Sequence, residues 1–363
     1  MTFYGTWLSL KHLDSQPPHL DAPFSLFHIS VLKPLKGIDD GIEENLRTFF
    51  LLDYPVFELI FSISDPEDPV RGVVERLIKK YPFVSARLIV GDVDVGPNPK
   101  VNNLVRSYQE ARYDWLLISD SNVRVPRNYL KRLTAHLDAG VGLVTAIVSG
   151  KDPIGFGAHL EAVYLNTFYA RGMLLAAKVG RPCVIGKSML FRRSVANRFG
   201  GIKILAKYLA EDFMAGEAMR MLGFRVVIAS DPIHQRIGVY SVREFLLRHL
   251  RWGRIRKAQA PFTFLIEPWF GSFVSGFLGA CAFQSFGLLS GSMFLVAHFL
   301  IWSSCDFFLM KKMGSELGVL TPAAWFVREI FAVPLWFCIA LDNTVNWRGR
   351  RLKVQPGGIL EAT

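Results

Sequence analysis

Apolar residues are distributed in two different ways along the chain. Up to about residue 240, short runs rich in β-branched residues alternate with amphipathic stretches. The runs predict six strands: His28 to Leu32, Glu58 to Ser62, Arg87 to Val90, Trp115 to Ser119, Gly142 to Val148 and Arg225 to Ala229. Between them, Pro69 to Lys80 and Lys100 to Ala111 have helical spacing. This alternation predicts an α/β fold with an open, mainly parallel sheet.

Beyond residue 260 the pattern becomes continuously apolar. Two stretches are nearly free of charge and about as long as the 17 to 25 residues that cross a bilayer: Trp269 to Leu289 and Ser292 to Met310. A third stretch, Ala323 to Leu341, contains Arg328, Glu329 and Pro334. Because charges at membrane depth are costly, we expect the third stretch to be re-entrant or interfacial, with its two charges functional or mutually paired.

Composition and charge agree with a membrane protein. Of the residues, 51% are hydrophobic, the mean hydropathy is +0.26 and the net charge is +11. The positive charge is concentrated between residues 241 and 260, directly before the apolar region, where six basic residues stand against Glu244. The positive-inside rule therefore places the polar part in the cytosol. Basic residues gathered beside a membrane do not form a nucleic-acid groove, and no nucleic-acid partner is expected.

The cysteines and the N-terminus exclude some further classes. The four cysteines have no paired spacing and lie in apolar surroundings, which indicates a reducing compartment without a disulfide framework or a zinc site. Residues 1–28 contain neither a cleavable signal nor a spanning run, because the apolar piece Phe3 to Leu10 is too short.

The end of the fourth predicted strand is the first candidate site. Asp120, followed by Ser121 and Asn122, can bind a divalent cation that bridges the oxygens of a nucleotide diphosphate. The same three residue types also form ordinary turns. We find neither G-x-G-x-x-G after a strand nor G-x-x-x-x-G-K-[ST], which disfavours a dinucleotide site and a P-loop.

Two other strand ends carry polar residues. Asp65 and Asp68 can accept the imide N–H of uracil or a ribose hydroxyl, or can belong to a proline-rich turn that caps the next helix. Lys100 can contact phosphate or base, while Asn102 and Asn103 can cap the helix that follows. A purely structural helix start fits the second group equally well.

A carboxylate pair, Glu211 and Asp212, opens a helical pattern that runs through Met219. One carboxylate can serve as a general base, a role worth about 10² to 10⁴ in rate. Alternatively, acidic residues in a first helical turn stabilise the helix by about 0.3 to 1 kcal/mol.

Arg248, Arg251 and Trp252 lie on a predicted amphipathic helix, with the two arginines on one face. They can clamp a diphosphate leaving group, whose charge grows as its bond to the sugar breaks. The alternative is attachment to anionic lipid, worth about 1 kcal/mol per basic residue. Since the segment has more cations than one diphosphate requires, we assign lipid attachment to the last three, Arg254, Arg256 and Lys257.

Taken in order, these motifs resemble the ceramide glucosyltransferase family. The matching segments are Ile29 to Gly37, Asp53 to Pro55, Asp65 to Asp68, Asn98 to Leu104, Asp120 and Ser121, Glu211 and Asp212, Arg248 to Trp252 and the tail Trp347 to Arg350. The resemblance implies a GT-A (Rossmann-like) fold followed by membrane helices. It also implies inverting transfer of glucose from UDP-glucose to the primary hydroxyl of ceramide, with Mg²⁺ or Mn²⁺ as cofactor.

The resemblance also implies roles for single residues. Asp212 matches the catalytic base, Asp68 a nucleotide-binding aspartate and Asp120 the aspartate that binds metal and sugar nucleotide. Arg248, Arg251 and Trp252 match the motif that engages the donor diphosphate. The remaining donor-binding residues that it implies are Asp65, Lys100 and Asn103.

The expected organisation has five parts: an extension (1–28), a GT-A domain (29–240), an interfacial segment (241–260), membrane or re-entrant helices (261–347) and a basic tail (348–363). Two features depart from the family pattern. Its members usually begin with a membrane-spanning helix, and Asn122 stands where many GT-A enzymes have a second acidic residue.

Three alternatives remain. The enzyme can transfer galactose or N-acetylglucosamine from a UDP-sugar to another lipid, such as a hopanoid. A processive polysaccharide synthase shares the arginine and tryptophan motif but is expected to have more spanning helices. A non-catalytic membrane protein with a GT-A fold is disfavoured because Asp68, Asp120, Asp212 and the arginines occur together.

Overall fold

A computed structural model describes residues 2–19, 27–288, 290–347 and 350–362. The chain forms two compact units. The sheet unit comprises His12–Ser149 and Met173–Gly238, and the helical unit comprises Met1–Lys11, Gly150–Gly172 and Val239–Thr363. Each unit is described by itself.

The sheet has eight strands: β1 Ile29–Pro34, β2 Phe57–Ile63, β3 Ala86–Val90, β4 Trp115–Ile118, β5 Val123–Arg124, β6 Val141–Ile154, β7 Met189–Arg192 and β8 Arg225–Val239. Their order is β3-β2-β1-β4-β7-β6-β8-β5. The first four strands pair in parallel, whereas β7 pairs antiparallel with β4 and β6, and β5 pairs antiparallel with β8.

The helices of the sheet unit are α2 Ile42–Phe50, α3 Val70–Lys80, α4 Pro99–Glu110, α5 Tyr129–Thr134, α8 Arg193–Asn197 and α9 Glu211–Met221. Two further helices, α1 Thr2–Leu13 and α7 Ala170–Lys178, each belong partly to the sheet unit and partly to the helical unit. Leu104 on α4, Leu116 on β4 and Met219 on α9 belong to one buried apolar cluster. This cluster fixes α4 and α9 against the sheet, and both helices begin at the carboxyl end of the parallel strands.

The prediction of a mainly parallel sheet is wrong for the second half of the sheet. Strand β7 was not predicted, because four residues without alternation give little periodic signal. Strand β8 extends to Val239, ten residues beyond its predicted end at Ala229, although it contains Pro232. Pro232 lies before the two residues of β8 that pair with β5, His234 and Gln235, so it does not interrupt that pairing.

The helical unit contains most of α1 and then α6 Phe156–Tyr164, which continues through a π turn, Leu165–Tyr169, into α7. It goes on with α10 Val242–Gln259, α11 Pro261–Ile266, α12 Ser272–Ser285, α13 Gly291–Lys312 and α14 Leu320–Ala340. A small antiparallel sheet follows, formed by β9 Thr344–Trp347, β10 Arg350–Val354 and β11 Leu360–Ala362. Arg348 and Gly349 of the predicted tail motif, and Leu289 at the end of the first apolar stretch, lie outside the described residues.

Two helices, α13 and α14, are long and apolar enough to cross a membrane. The third apolar stretch forms the continuous helix α14, whereas the first stretch contains a bend of the kind found in a broken span or a re-entrant loop. There, the segment Pro261–Phe270 and α12 are bent by 60° at Gly271. Pro334 lies inside α14 without ending it, and Arg328 pairs with Glu329, as the sequence suggested.

Candidate functional site

Asp120 follows β4 and is surrounded by lysines. Its Oδ1 lies 2.8 Å from Lys100 Nζ, and its Oδ2 lies 3.5 Å from Lys187 Nζ. Lys187 reaches it because Ile118 on β4 is paired with Met189 on the antiparallel strand β7. Burial alone raises the pKa of the Asp120 carboxyl, but the charges of Lys100 and Lys187 outweigh it and hold the pKa far below its ordinary value. Asp120 is therefore a carboxylate at neutral pH.

A third lysine lies beneath the site. Lys33, on β1, is fully buried and donates to the main-chain oxygen of Asp120 at 2.6 Å and to Ser119 Oγ at 3.3 Å. Its ammonium also lies 3.8 Å from the ring centroid of Phe49. Burial lowers the pKa of Lys33 well below its ordinary value. Lys33 thus fixes the backbone that presents Asp120.

The first turn of α9 supplies the next two carboxylates. Glu211 Oε1 lies 2.9 Å from Lys100 Nζ, so one lysine joins the end of β4 to the start of α9. Asp212 accepts hydrogen bonds from Gly186 N at 2.7 Å and from Phe213 N at 2.8 Å. Burial, followed by the neighbouring charge of Glu211, raises the pKa of Asp212 to about 6, while Lys100 acts in the opposite direction. Such a pKa suits a general base near neutral pH.

Close packing at this point depends on Gly186 and Asn98. A Cβ atom at position 186 would lie 2.5 Å from Lys100 Nζ, so a side chain there would displace the lysine. Asn98 caps α4 by accepting from Lys100 N and Val101 N, and it donates to Glu211 Oε2 at 3.2 Å. Because Asn98 is the cap, the prediction that Asn102 and Asn103 cap this helix is wrong; they lie inside it.

The other predicted donor residues of the sheet unit make structural contacts. Asp68 accepts from Gly37 N at 2.9 and 3.0 Å and from Val70 N at 3.0 Å, while Asp65 accepts from Glu67 N. Asn103 donates to main-chain oxygens of Leu35 and Ser62. Its buried Oδ1 has no hydrogen-bond partner among the described residues. These contacts hold the ends of β1 and β2 together, and the donor-binding roles of the three residues stay predictions.

The arginine and tryptophan motif lies on α10 in the helical unit. Arg248 pairs with the buried carboxylate of Glu161 at 3.0 Å, which also bonds His249 Nε2 at 2.9 Å. The Arg248 guanidinium lies 4.9 Å from the ring centroid of Trp252. Trp252 in turn stacks on Tyr169 at 6.1 Å. Arg251 is partly buried on the same helix. The motif is therefore held in a defined geometry within its own unit.

The last three cations of α10, which we assigned to lipid attachment from the sequence, form ion pairs and hydrogen bonds with other groups of the protein. Arg254 pairs with Asp342 at 3.0 Å, and Arg256 pairs with Glu267 through two contacts of 2.7 Å. Lys257 donates to three main-chain oxygens at the end of α14, at 2.8 to 2.9 Å. These side chains hold α10 to its neighbours rather than extending to lipid headgroups.

The acidic residues present fit a divalent cation only together with a donor phosphate. In the described part of the chain, no three His, Cys, Asp or Glu side chains come together as a metal site. Asp120 is the single candidate ligand from the sequence, and its side chain is 30% exposed. A carboxylate has about four acceptor positions, so the two lysine contacts leave room for a cation. Mg²⁺ is commonly held by one or two carboxylates plus substrate phosphate.

Sequence reasoning missed Lys33, Lys187, Asn98 and Gly186 as parts of this site. Lys33 has one detectable signal, a charged residue inside an otherwise apolar strand, Ile29–Pro34. Lys187 and Gly186 have none, because strand pairing across the sheet brings them to Asp120 and Asp212.

Comparison with known proteins identifies the family of the chain. The model of "Glycosyl transferase family 21" matches residues 2–360. Ceramide glucosyltransferase 3 of Caenorhabditis elegans is 32% identical over 340 residues, covering 92% of this chain and 74% of that protein. Ceramide glucosyltransferase of Komagataella phaffii is 28% identical, covering 98% of this chain and 87% of that protein.

A solved structure shows the same fold. The mannosyltransferase PcManGT from Pyrobaculum calidifontis, in complex with GDP-Man and Mn²⁺, has a TM-score of 0.52 at 18% identity, covering 91% of this chain and 95% of that chain. The fold is therefore a GT-A fold followed by apolar helices that could span a membrane, and the protein is a glycosyltransferase. The chain belongs to glycosyl transferase family 21, the family of the ceramide glucosyltransferases.

Proposed function

We propose that this enzyme transfers glucose from UDP-glucose to the primary hydroxyl of ceramide, forming glucosylceramide with inversion at the anomeric carbon. The observation that carries the proposal is the buried Asp212, whose pKa of about 6 leaves it mostly ionised at neutral pH while it remains a usable base. The relatives' names support ceramide as acceptor and glucose as the transferred group, UDP as the carrier follows from the resemblance of the motifs, and the two apolar helices suit a membrane lipid acceptor.

In the proposed reaction, Asp212 takes the proton of the acceptor hydroxyl. The hydroxyl oxygen forms a bond to the anomeric carbon of glucose as the bond from that carbon to the β-phosphate oxygen breaks. The electron pair of the broken bond leaves with UDP, and inversion gives a β-linkage. The backbone N–H groups of Gly186 and Phe213 hold the carboxylate of Asp212 in place for this step.

We propose donor-binding roles for residues of the sheet unit and for residues of the helical unit, each taken by itself. Asp65, Asp68, Lys100 and Asn103 bind the nucleotide part. Asp120 would hold a divalent cation, Mg²⁺ or Mn²⁺, which would supply positive charge to stabilise the diphosphate leaving group. Among the helical residues, Arg248, Arg251 and Trp252 engage the diphosphate. The Arg248 contact with Glu161 supports a fixed arginine, since a guanidinium that is already oriented loses less side-chain entropy on binding.

We further propose that the catalytic part faces the cytosol, where UDP-sugars are soluble, and that the acceptor comes from the bilayer. The proposed organisation remains an extension (1–28), a GT-A domain (29–240), an interfacial segment (241–260), membrane helices (261–347) and a tail (348–363). Within the proposed GT-A domain, residues 150–172 are part of the compact helical unit, so residues 29–240 contribute to both units.

The test uses the full chain purified in detergent. It is incubated with Mg²⁺ or Mn²⁺, one of UDP-glucose, UDP-galactose or UDP-N-acetylglucosamine, and one of ceramide or a hopanoid lipid. Mass spectrometry of the lipid product should show one hexose on ceramide with UDP-glucose only. Asp212→Asn should abolish the product, whereas the matched change of the exposed Asp53→Asn should not. A product from another donor or lipid would overturn the proposed substrates.

A further inference from the structure

The helical unit contains a cavity of about 70 Å³ that the proposed chemistry does not use. It lies where α10, the bend at Gly271 and α14 meet. Its walls are mostly aromatic and aliphatic, including Phe168, Phe245, Phe273, Phe331, Leu335 and Trp336. A cavity of this kind among apolar helices suits the part of a lipid that joins its head to its chains.

The charged side chains at this cavity are paired with one another. Arg256 forms two contacts of 2.7 Å with Glu267, and Arg328 pairs with Glu329. Burial lowers the pKa of His249, which also lines the cavity, and favours its neutral form. The lining therefore carries no net charge. A phosphate headgroup would bring an uncompensated negative charge into it, which is costly in a buried site.

One donor at the cavity lacks a partner. Arg328 is 7% exposed, and its Nε has no hydrogen-bond partner in the described part of the chain. Leaving a buried donor unsatisfied costs about 1 to 3 kcal/mol. Glu329 Oε2 accepts from Ser272 N at 2.8 Å and from Ser272 Oγ at 2.5 Å, whereas Glu329 Oε1, although it forms the ion pair with Arg328, has no hydrogen-bond partner among the described residues. A bound molecule whose polar group has both an acceptor and a donor, such as an amide or a hydroxyl, would satisfy Arg328 Nε and Glu329 Oε1 together.

The geometry points to a binding site for a neutral membrane lipid that bears an amide or hydroxyl group. Its oxygen accepts a hydrogen bond from Arg328 Nε, and the adjoining chain packs against the aromatic walls. The inference rests on the proposed function for its acceptor, since ceramide is a lipid of this class. It adds a place of binding that the catalytic cluster does not supply.

The experiment measures binding without catalysis. The full chain in nanodiscs, with no UDP-sugar present, is irradiated with a photoreactive ceramide or with a photoreactive phosphatidylcholine. Mass spectrometry should locate the ceramide adduct in residues 331–339 or 245–256, at least tenfold above the phosphatidylcholine adduct. Excess unlabelled ceramide should remove it. Adducts spread evenly over α13 and α14, or equal labelling by both lipids, would overturn the site.

Two variants test the named contacts. Val333→Trp fills part of the cavity, and Ile330→Trp adds the same bulk on the same helix at an exposed position outside the lining. We expect the first to lower the adduct at least tenfold and the second to leave it unchanged. Arg328→Lys keeps a cation beside Glu329 but removes the Nε–H, and should lower the adduct several-fold.

Failure of the site and failure of the proposed function give different results. Glucosylceramide synthesis without an adduct in the cavity would reject the site and keep the function. A competed adduct in the cavity without transfer to ceramide would keep the site and reject the function.

Discussion

At the scale of single residues, the pKa of Asp212 gives the clearest prediction. A general base must be deprotonated, so kcat/KM should fall about tenfold per pH unit below a pKa of about 6. Glu211→Gln removes the like charge that, after burial, raises this pKa, and the acid limb should therefore move to lower pH. The measurement is the pH profile of kcat/KM for both forms. An unchanged limb in Glu211→Gln would show that Asp212 is not the titrating base.

Lys100 should have the opposite effect on the same limb. Its ammonium contacts Asp120 and Glu211 and lowers the pKa of Asp212. Lys100→Met should therefore raise the pKa of Asp212, shift the acid limb to higher pH and reduce kcat at pH 7 at least tenfold. Lys79→Met, an exposed change on α3, is the control for a lost surface charge and should leave the profile unchanged. A shift to lower pH in Lys100→Met would contradict the electrostatic arrangement.

The sequence predicted the acidic residues of the site better than its lysines. Asp120 follows β4 and Asp212 lies in the first turn of α9, positions that polar residues at strand and helix ends predict directly. Lys33 and Lys187 come close to Asp120 because β1 and β7 are the two neighbours of β4 in the sheet. The order of strands in a sheet cannot be read from the local sequence pattern. The sequence pattern places the start of α4 about one helical turn too late, and so predicts Asn102 and Asn103 as caps instead of Asn98. Sequence patterns do not locate the end of a helix to within one turn.

At the scale of elements, Lys257 should stabilise the junction of α10 with α14. It donates to Ile339 O, Ala340 O and Asp342 O, and so satisfies carbonyl groups that the end of a helix leaves without partners. Lys257→Met should cost about 2 kcal/mol, the range for hydrogen bonds to a charged group. The midpoint of thermal unfolding in detergent should fall, while flotation with anionic vesicles stays unchanged.

The control for this experiment is Arg243→Met, at an exposed position in the first turn of the same helix. It removes an equal charge without removing a helix cap. Loss of vesicle binding in Lys257→Met, with an unchanged unfolding midpoint, would restore the role of a lipid anchor.

Element boundaries also show where sequence patterns fail. From Arg328, Glu329 and Pro334 we expected a re-entrant or interfacial segment, and the structure forms one continuous helix there, α14, in which Arg328 pairs with Glu329 and Glu329 accepts from Ser272. The first stretch, Trp269 to Leu289, has the length of a span in the sequence, whereas in the structure the chain bends by 60° at Gly271, between the segment Pro261–Phe270 and α12. Local hydropathy reveals neither the pairing of Arg328 with Glu329 nor this bend.

At the scale of the whole molecule, the positions of basic residues predict which end of α13 faces the cytosol. Helix α13 has 22 residues, about 33 Å of helix, which matches the hydrocarbon core of a bilayer. Its C-terminal end carries Lys311 and Lys312. The loop that follows is held within the helical unit, because Asn166 Nδ2 donates to Ser315 Oγ at 2.5 Å and Lys151 Nζ donates to Gly314 O. This end should face the cytosol.

The topology can be tested with single cysteines in a background without the four native ones. One variant carries Glu316→Cys, after α13, and the other carries Leu288→Cys, before α13. Both positions are exposed. In sealed vesicles with the cytosolic face outward, a membrane-impermeant maleimide should label Cys introduced at position 316 and not at 288. Detergent should make both positions reactive. Labelling of both in sealed vesicles would mean that α13 does not cross the bilayer, and the reverse pattern would invert the orientation. Because a water-soluble donor reaches the catalytic cluster only from the compartment that contains it, either result would contradict the proposed topology. The side of the membrane from which the UDP-sugar enters would then have to be assigned again.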